Sequence, residues 1–494
     1  MRNHHFLLDP AYTPLNHGSF GTYPRYVLHA LHYFQSLSES RPDAFVRHQY
    51  PKLLDRSREV VAKFLGLGTE GTGEVVLVQN ASVAVNTVLR NLLGGRVENG
   101  GGGLGDVVLY FSTVYAAIEK LVESLRETNG VEGVKVEVEY PIEDGELIER
   151  FRETIGRVKG EGKRPRVAVF DSVSSMPGFR MPWERLVQVC REEDVLSFVD
   201  AAHGIGHIPL EIKEAQPDFL VTNLHKWLYC PRPCAAFYVP LRNQHLLRTT
   251  YPTSHGFVPL VPPPSPPTNP NLTTIAKKKK GHLQPTSPST KTPFLTLFEF
   301  VATQDVTPYL CVEAALQFRN EVCGGEERIR AYCVDVAAKG AEIARERWGT
   351  RVVYGSGGRE GSGGMVNVEL PIDVVVDSSG EGGEGHDGAS TVANGDIKGD
   401  RERAARAEIT VQEAGVVANW MAEKLIAEYD TYAALYFHAG KLWVRFSGQI
   451  YLEVEDMERG VKALSELCER VKSGEWKKQG HSEGLEGGAV MGEE

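Results

Sequence analysis

Between residues 55 and 240, short apolar runs alternate with amphipathic stretches, and this alternation constrains the fold more than any other feature of the chain. EVVLVQN (74–80), DVVLYF (106–111), VKVEVEY (134–140), VAVFDSV (167–173), LSFVDA (196–201), FLVT (219–222) and AAFYV (235–239) read as strands. Between them, ASVAVNTVLRNLL, YAAIEKLVESLRET, ELIERFRETIGRV and PWERLVQVCREED carry the period of helices, the last with Pro182 in its first turn. A glycine-rich loop, GGRVENGGGGLG, separates the first helix from the second strand. Buried strands joined by helices imply a mostly parallel sheet covered on both faces. Ligands of such sheets sit at the carboxyl ends of the strands.

The rest of the chain divides around that unit. A segment over 1–24 leads into a large domain over 25–300, and a smaller α+β domain follows over 301–472. Its elements are a helical region opened by LFEFVATQDVTPYLCVEAALQFRNEV, the strands MVNVELP and KLWVRFS, and the helix VQEAGVVANWMAEKLIAEYD. Two stretches read as insertions: residues 261–293, rich in Pro, Thr, Ser and Lys, and residues 377–403, glycine-rich and acidic. Residues 473–494 read as a disordered tail. The lysine run 277–280 reads as part of a solvated loop.

Hydrophobic residues make up 41% of the 494, enough for a large core, and the net charge of −11 argues against nucleic acid as a partner. No run reaches the ~18 apolar residues of a membrane span, and the N-terminus lacks a secretory pattern. The seven cysteines are scattered without a CxxC, so reduced thiols in a cytoplasmic protein are expected. No metal-ligand pattern stands out.

Four positions near strand ends carry possible chemistry. Asp200 closes a buried strand and needs a cationic partner to offset desolvation, unless it caps a helix. Lys226, in NLHKW just past FLVT, is either an engaged lysine with a lowered pKa or an exposed one. Asn80-Ala81-Ser82 begins a helix whose free N–H groups suit a phosphate, or it is an ordinary cap. Arg445, inside the apolar KLWVRFS, either grips a carboxylate ligand or pairs with an interior Glu.

Taken together, LNHGSFGTYP (15–24), NASVAVN (80–86), FDSVSSMPGFRMP (170–182), VDAAHGIG (199–206), NLHKW (223–227), EFVATQD (299–305) and VRFSGQIY (444–451) resemble the class V aminotransferases. These are pyridoxal-phosphate (PLP) enzymes, and the likeness is to their isopenicillin N epimerase and carbon–sulfur lyase branch. VDAAHGIG followed by NLHKW is the specific part. The resemblance implies the PLP-dependent transferase fold type I, an α/β large domain with a smaller α+β domain, working as a homodimer on an amino acid. It implies that Lys226 links covalently to PLP, that Asp200 holds the pyridine nitrogen protonated, and that His203 bonds the ring hydroxyl oxygen. Ala81 and Ser82 match the phosphate loop, with Asn223 and His225 flanking it. Tyr115 matches the residue stacked on the ring, and a second role as proton donor to the leaving group is open. Thr303 matches a threonine reaching the neighbouring subunit's phosphate. Arg445 matches the arginine for the substrate carboxylate, and Asn16 and His17 match the segment lining the substrate pocket. Three departures stand out: Pro231-Arg232-Pro233 where Pro-Lys-Gly is common, Ala302 in place of glycine, and Leu452 in place of asparagine.

Loss of the substrate's α-proton leaves an electron pair whose fate sets the reaction: epimerisation, transamination, or expulsion of a β-sulfur group. No cysteine lies between Cys333 and Cys468, so the persulfide-forming desulfurase reaction is not expected. LNHGSFG with NLHKW resembles the C–S lyases, among them cysteine desulfhydrases and the hercynylcysteine sulfoxide lyases of ergothioneine biosynthesis. The alternative is an epimerase or aminotransferase of secondary metabolism.

Overall fold

A computed structural model describes residues 1–93, 105–259, 291–376 and 406–481. Both predicted insertions and the glycine-rich loop lie almost wholly outside the described residues. The seven strands of the large domain are β1 (Val75–Val78), β2 (Asp106–Phe111), β3 (Glu132–Val136), β4 (Arg164–Asp171), β5 (Leu196–Asp200), β6 (Phe219–Thr222) and β7 (Ala235–Tyr238). They form one sheet in the order β1-β7-β6-β5-β4-β2-β3. Only β7 runs antiparallel to its neighbours.

The alternation of side chains along each strand feeds two cores. Leu109, Phe170, Val199 and Leu220 face α1 (Arg25–Ser40), α2 (Tyr50–Phe64) and the helices over Asp144–Gly160 and Trp183–Glu192. Val108, Val169, Phe198 and Val221 face α3 (Ala81–Leu93) and α4 (Ala116–Asn129). Covered on both sides, the strands can be buried throughout, as β1, β2, β6 and β7 are. Strand VKVEVEY ends early, at Val136, because β3 is an edge strand and the chain turns away to stack Tyr140 on Phe179.

The smaller domain has a four-stranded antiparallel sheet formed by Val352–Val353, Met365–Glu369, Ala434–His438 and Lys441–Ser447. Helices Glu326–Trp348, Val411–Tyr429 and Val454–Lys472 cover it. Its boundaries differ from those expected. Tyr309, Leu310, Val312 and Ala315 belong to the large-domain core, and the small-domain core begins at Phe318. Helical periodicity shows that these residues are buried but not against which sheet. The N-terminal segment docks on the small domain. Phe6 and Leu15 enter its core, and Thr13–Pro14 pair in parallel with Thr431–Tyr432. Order also continues past Ser473: Glu475–His481 form a 3-10 turn, Trp476 is buried in the small-domain core, and Glu475 is bonded to Arg470. No helix among the described residues is long and apolar enough to cross a membrane.

Candidate active site

The residues singled out from the sequence converge at the carboxyl edge of the large sheet. Lys226 sits on α5, a single turn over Leu224–Trp227 that follows β6 directly. Asp200 is the last residue of β5 and is buried. Its Oδ1 accepts the Ala202 N–H at 2.9 Å, a tight turn and not a helix cap. Burial raises the Asp200 pKa, opposed by that N–H and by Lys226.

Burial pushes the Lys226 amine down to about 8, with Asp200 pulling it up and Arg445 pushing it down. The hydrogen bonds agree. Trp227 Nε1–H only donates, and His203 Nδ1 accepts it at 3.3 Å. The His203 proton therefore lies on Nε2, which is 3.1 Å from Lys226 Nζ, so the amine must offer a lone pair. Burial, foremost, holds His203 far below its ordinary pKa. The exposed-lysine reading is overturned, since Lys226 is half-buried and engaged.

The start of α3 forms the second part of the site. Asn223 Oδ1 accepts Ala81 N–H at 3.0 Å, and Asn80 Oδ1 accepts Val83 N–H at 3.0 Å. Neither bond uses Ser82, whose N–H and hydroxyl stand at the positive end of a thirteen-residue helix. His225 is fixed through Nδ1 by the Cys234 backbone carbonyl at 2.7 Å, and burial lowers its pKa to about 4. Gln79 Nε2 donates to Gln304 Oε1 at 2.7 Å, which brings the Thr303 loop beside this helix start with Thr303 exposed. Tyr115 stands at the N-cap of α4, half-buried against the core that α3 and α4 share.

Arg445 closes the third side. It is fully buried (0% exposed), and no ion pair reaches it among the described residues, which overturns the interior Arg–Glu reading. Its Nη1 donates to Ser175 O at 2.5 Å, and its Nη2 donates to Asn16 Oδ1 at 2.6 Å and Ser19 Oγ at 3.1 Å. Burial lowers its pKa to about 10, and its Nε is left without a partner. A buried guanidinium without an anion is costly unless a ligand supplies one. Asn16 thus meets the arginine directly.

His17 is buried, with both ring nitrogens taken. Its Nε2 donates to Lys226 O at 2.8 Å, and its Nδ1 accepts the Tyr451 hydroxyl at 2.8 Å. Arg232, in the altered Pro-Arg-Pro loop, donates to Phe20 O at 2.8 Å and Gly21 O at 2.6 Å, so the substituted loop still ties down the N-terminal segment.

Sequence reasoning missed several neighbours. Asp171, the last residue of β4, is in register with Asp200 and buried, and its Oδ2 has no partner. It was visible in FDSVSS, but strand register is not. His207 stacks on Trp227 at 3.9 Å, donates to His203 O, and accepts Gly364 N–H at 2.7 Å. The second histidine of VDAAHGIGH was a signal for it. Arg319 had no signal at all.

This donor set fits PLP. A buried carboxylate faces a lysine whose pKa is lowered to about 8, a helix N-terminus offers N–H groups for a phosphate, and a guanidinium without an ion-pair partner awaits a carboxylate.

The aminotransferase class-V family model matches residues 22–255. The L-cysteine desulfhydrase-like protein lolT2 of Epichloe uncinata is 33% identical over 483 residues, 95% of this chain and 94% of that protein. The hercynylcysteine sulfoxide lyase of Schizosaccharomyces pombe is 28% identical over 94% of this chain and 96% of its own. Among solved structures, the cystine C–S lyase C-DES in complex with cysteine persulfide superposes with a TM-score of 0.63 at 16% identity, covering 92% of this chain and 98% of that one. At that identity the likeness is one of fold.

Proposed function

The chain belongs to the class V aminotransferase family of pyridoxal-phosphate enzymes, and from that premise we propose that it is a carbon–sulfur lyase acting on a cysteine conjugate or its sulfoxide. The observation that carries this reading is full-length kinship with relatives named for a cysteine desulfhydrase and a cysteine sulfoxide lyase. The cysteine-free stretch from Val334 to Leu467 supports it, since nothing there traps sulfur as a persulfide.

When bound, the cofactor ring accepts the electron pair left at the substrate's α-carbon. Asp200 keeps the ring nitrogen protonated. Arg445, with Asn16 and Ser19 already on its Nη2, holds the substrate carboxylate. Lys226, with its pKa lowered and facing His203, takes the α-proton. The Cα–H and Cβ–S bonds break, and sulfur leaves with a proton given by Tyr115, which also stacks on the ring. Hydrolysis of the remaining fragment gives pyruvate and ammonia. Ser82, His225 and Asn223 seat the phosphate, with Thr303 serving the same group in a partner subunit of a homodimer. All seven cysteines are free thiols, which supports a reducing, cytoplasmic setting.

The test mixes holoenzyme with S-conjugated cysteines, their sulfoxides among them, and no keto acid. Sustained pyruvate release over many turnovers is expected. A halt after one turnover with the cofactor in its amine form, or racemisation without pyruvate, overturns the reading in favour of an aminotransferase or epimerase.

A further inference from the structure

The helix that carries Lys226 is one turn long, so its last carbonyls lack intrahelical donors. Leu224 O is met locally by Cys230 N–H at 3.2 Å. The next two acceptors in play, Lys226 O and Trp227 O, are satisfied by side chains from outside the large domain. His17 Nε2, from the N-terminal segment, donates to Lys226 O at 2.8 Å. Arg319 Nη1, from the start of the small domain, donates to Trp227 O at 2.7 Å.

Both donors are themselves locked. The Tyr451 hydroxyl sits on His17 Nδ1 at 2.8 Å, which fixes the proton on Nε2, and the His17 ring meets the Trp227 ring edge-on at 5.0 Å. Arg319 is fully buried. Glu326 takes its Nε and Nη2 at 2.5 and 2.6 Å, Gly206 O takes Nη2 at 3.1 Å, and the Tyr229 ring lies 4.7 Å beneath the guanidinium. Two glycines allow the approach. A Cβ on Gly21 would stand 2.8 Å from the Lys226 Cα, and one on Gly206 would stand 2.7 Å from Trp227 O, both at positive φ.

We propose that His17 and Arg319 are positioning residues, which hold the Lys226–Trp227 backbone from two sides and so set the direction from which Lys226 Nζ approaches the cofactor and the substrate α-carbon. A lysine side chain is a lever of about 6 Å, so a backbone tilt of about 10° moves its amine by roughly 1 Å. A displacement of that size costs about 10²-fold in rate. The role applies to Lys226 in any reaction of the family and does not rest on the lyase reading.

The experiment compares wild-type holoenzyme with Arg319→Lys, His17→Leu, His17→Gln and Tyr451→Phe. The readouts are the pH titration of the lysine-linked cofactor absorbance, the rate at which that absorbance develops when PLP is added to apoenzyme, and kcat and KM separately. Arg319→Lys keeps the charge but loses the fork that spans two carbonyls and Glu326. It and His17→Leu are expected to bind one PLP per chain, develop the absorbance about tenfold or more slowly, shift its pH midpoint, and lower kcat by about 10–100-fold with KM little changed. His17→Gln, which can still donate to Lys226 O, recovers part of the loss. Tyr451→Phe removes one hydroxyl, frees the His17 tautomer and gives a smaller effect of the same sign, so it decides the matter where a larger change prevents folding. An unchanged titration and absorbance rate in these variants overturns the proposal. A raised KM at unchanged kcat also overturns it, and would put His17 in the substrate pocket.

Discussion

Asp171 and Asp200 end neighbouring parallel strands in register, and two carboxylates buried side by side do not both ionise. Asp200 has the Ala202 N–H to stabilise its charge, whereas Asp171 Oδ2 has no partner. Asp200 therefore keeps the charge and Asp171 the proton. Burial, then Asp200, raises the Asp171 pKa well above its ordinary 3.8, with Tyr140 also close by and Lys226 opposing. The folded apoprotein thus holds a proton that the unfolded chain has released, and stability falls as pH rises from about 4 toward the raised value. Asp171→Asn removes this slope. Urea midpoints should show the variant gaining on wild type by up to ~1.4 kcal/mol per pH unit across that window. A constant difference at every pH would show Asp171 ionised in the fold. Asp200→Asn should act differently: PLP stays bound, while turnover drops by about 10²–10³, because the ring nitrogen loses its anionic partner. Unchanged turnover with bound PLP would place Asp200 outside the site.

At the scale of elements, the proposed phosphate seat depends on Asn223, a side chain crossing between β6 and α3. Asn223 takes the Ala81 N–H, so the first turn of α3 keeps its place and Ser82 keeps its donors. Asn223→Ala leaves that N–H without its acceptor, and PLP affinity should weaken by about tenfold, a loss of one modest hydrogen bond, with far-UV dichroism unchanged. Equilibrium dialysis measures it; undiminished affinity would separate Asn223 from the phosphate. Strands such as Asp106–Phe111, Phe219–Thr222 and Lys441–Ser447 were legible because each is a dense apolar run, and the catalytic candidates were legible because they follow such runs. Strand Ala434–His438 was not, since TYAALYFHAG mixes alanine with aromatics and gives no clean period. Nor was the partnership of helices Thr307–Leu310 and Val312–Gln317 with the large domain, because amphipathicity names a buried face and not its neighbour. Arg319 reads as one more surface arginine in QFRNEV. Only the meeting of Gly206, Trp227, Tyr229 and Glu326 around it makes it a strut.

Across the whole molecule, three bodies meet at the Lys226 turn, and neutral imidazoles make two of the joints. His17 joins the N-terminal segment and Tyr451 to the Lys226 carbonyl. His207 joins the VDAAHGIG loop to Gly364 of the small domain through an Nε2 that accepts an N–H. Each ring uses one nitrogen as acceptor: protonation would set His207 Nε2–H against the Gly364 N–H, two donors face to face, whereas at His17 the Tyr451 hydroxyl would have to turn and accept. Burial is the main cause that lowers both pKa values to about 3, and a carbonyl bond pulls each only partly back. The unfolded chain therefore binds protons on these histidines below pH 6.5 that the folded chain refuses, so stability is present above about 6.5 and is lost as pH falls toward 3. Each imidazole contributes up to ~1.4 kcal/mol per pH unit in that interval. Urea unfolding of the apoprotein between pH 7 and 4.5 should show a steep loss of stability, since the four imidazoles lowered by burial, His17, His203, His207 and His225, outnumber the two raised carboxylates, Asp171 and Asp200. His207→Gln retains a donor for His203 O and an acceptor for Gly364 N–H without a group that titrates, and should flatten the loss by about one proton's worth. If the variant lost stability with acid as steeply as the wild type, His207 would not be neutral in the fold, and the joint between the two domains would have to be held by other groups.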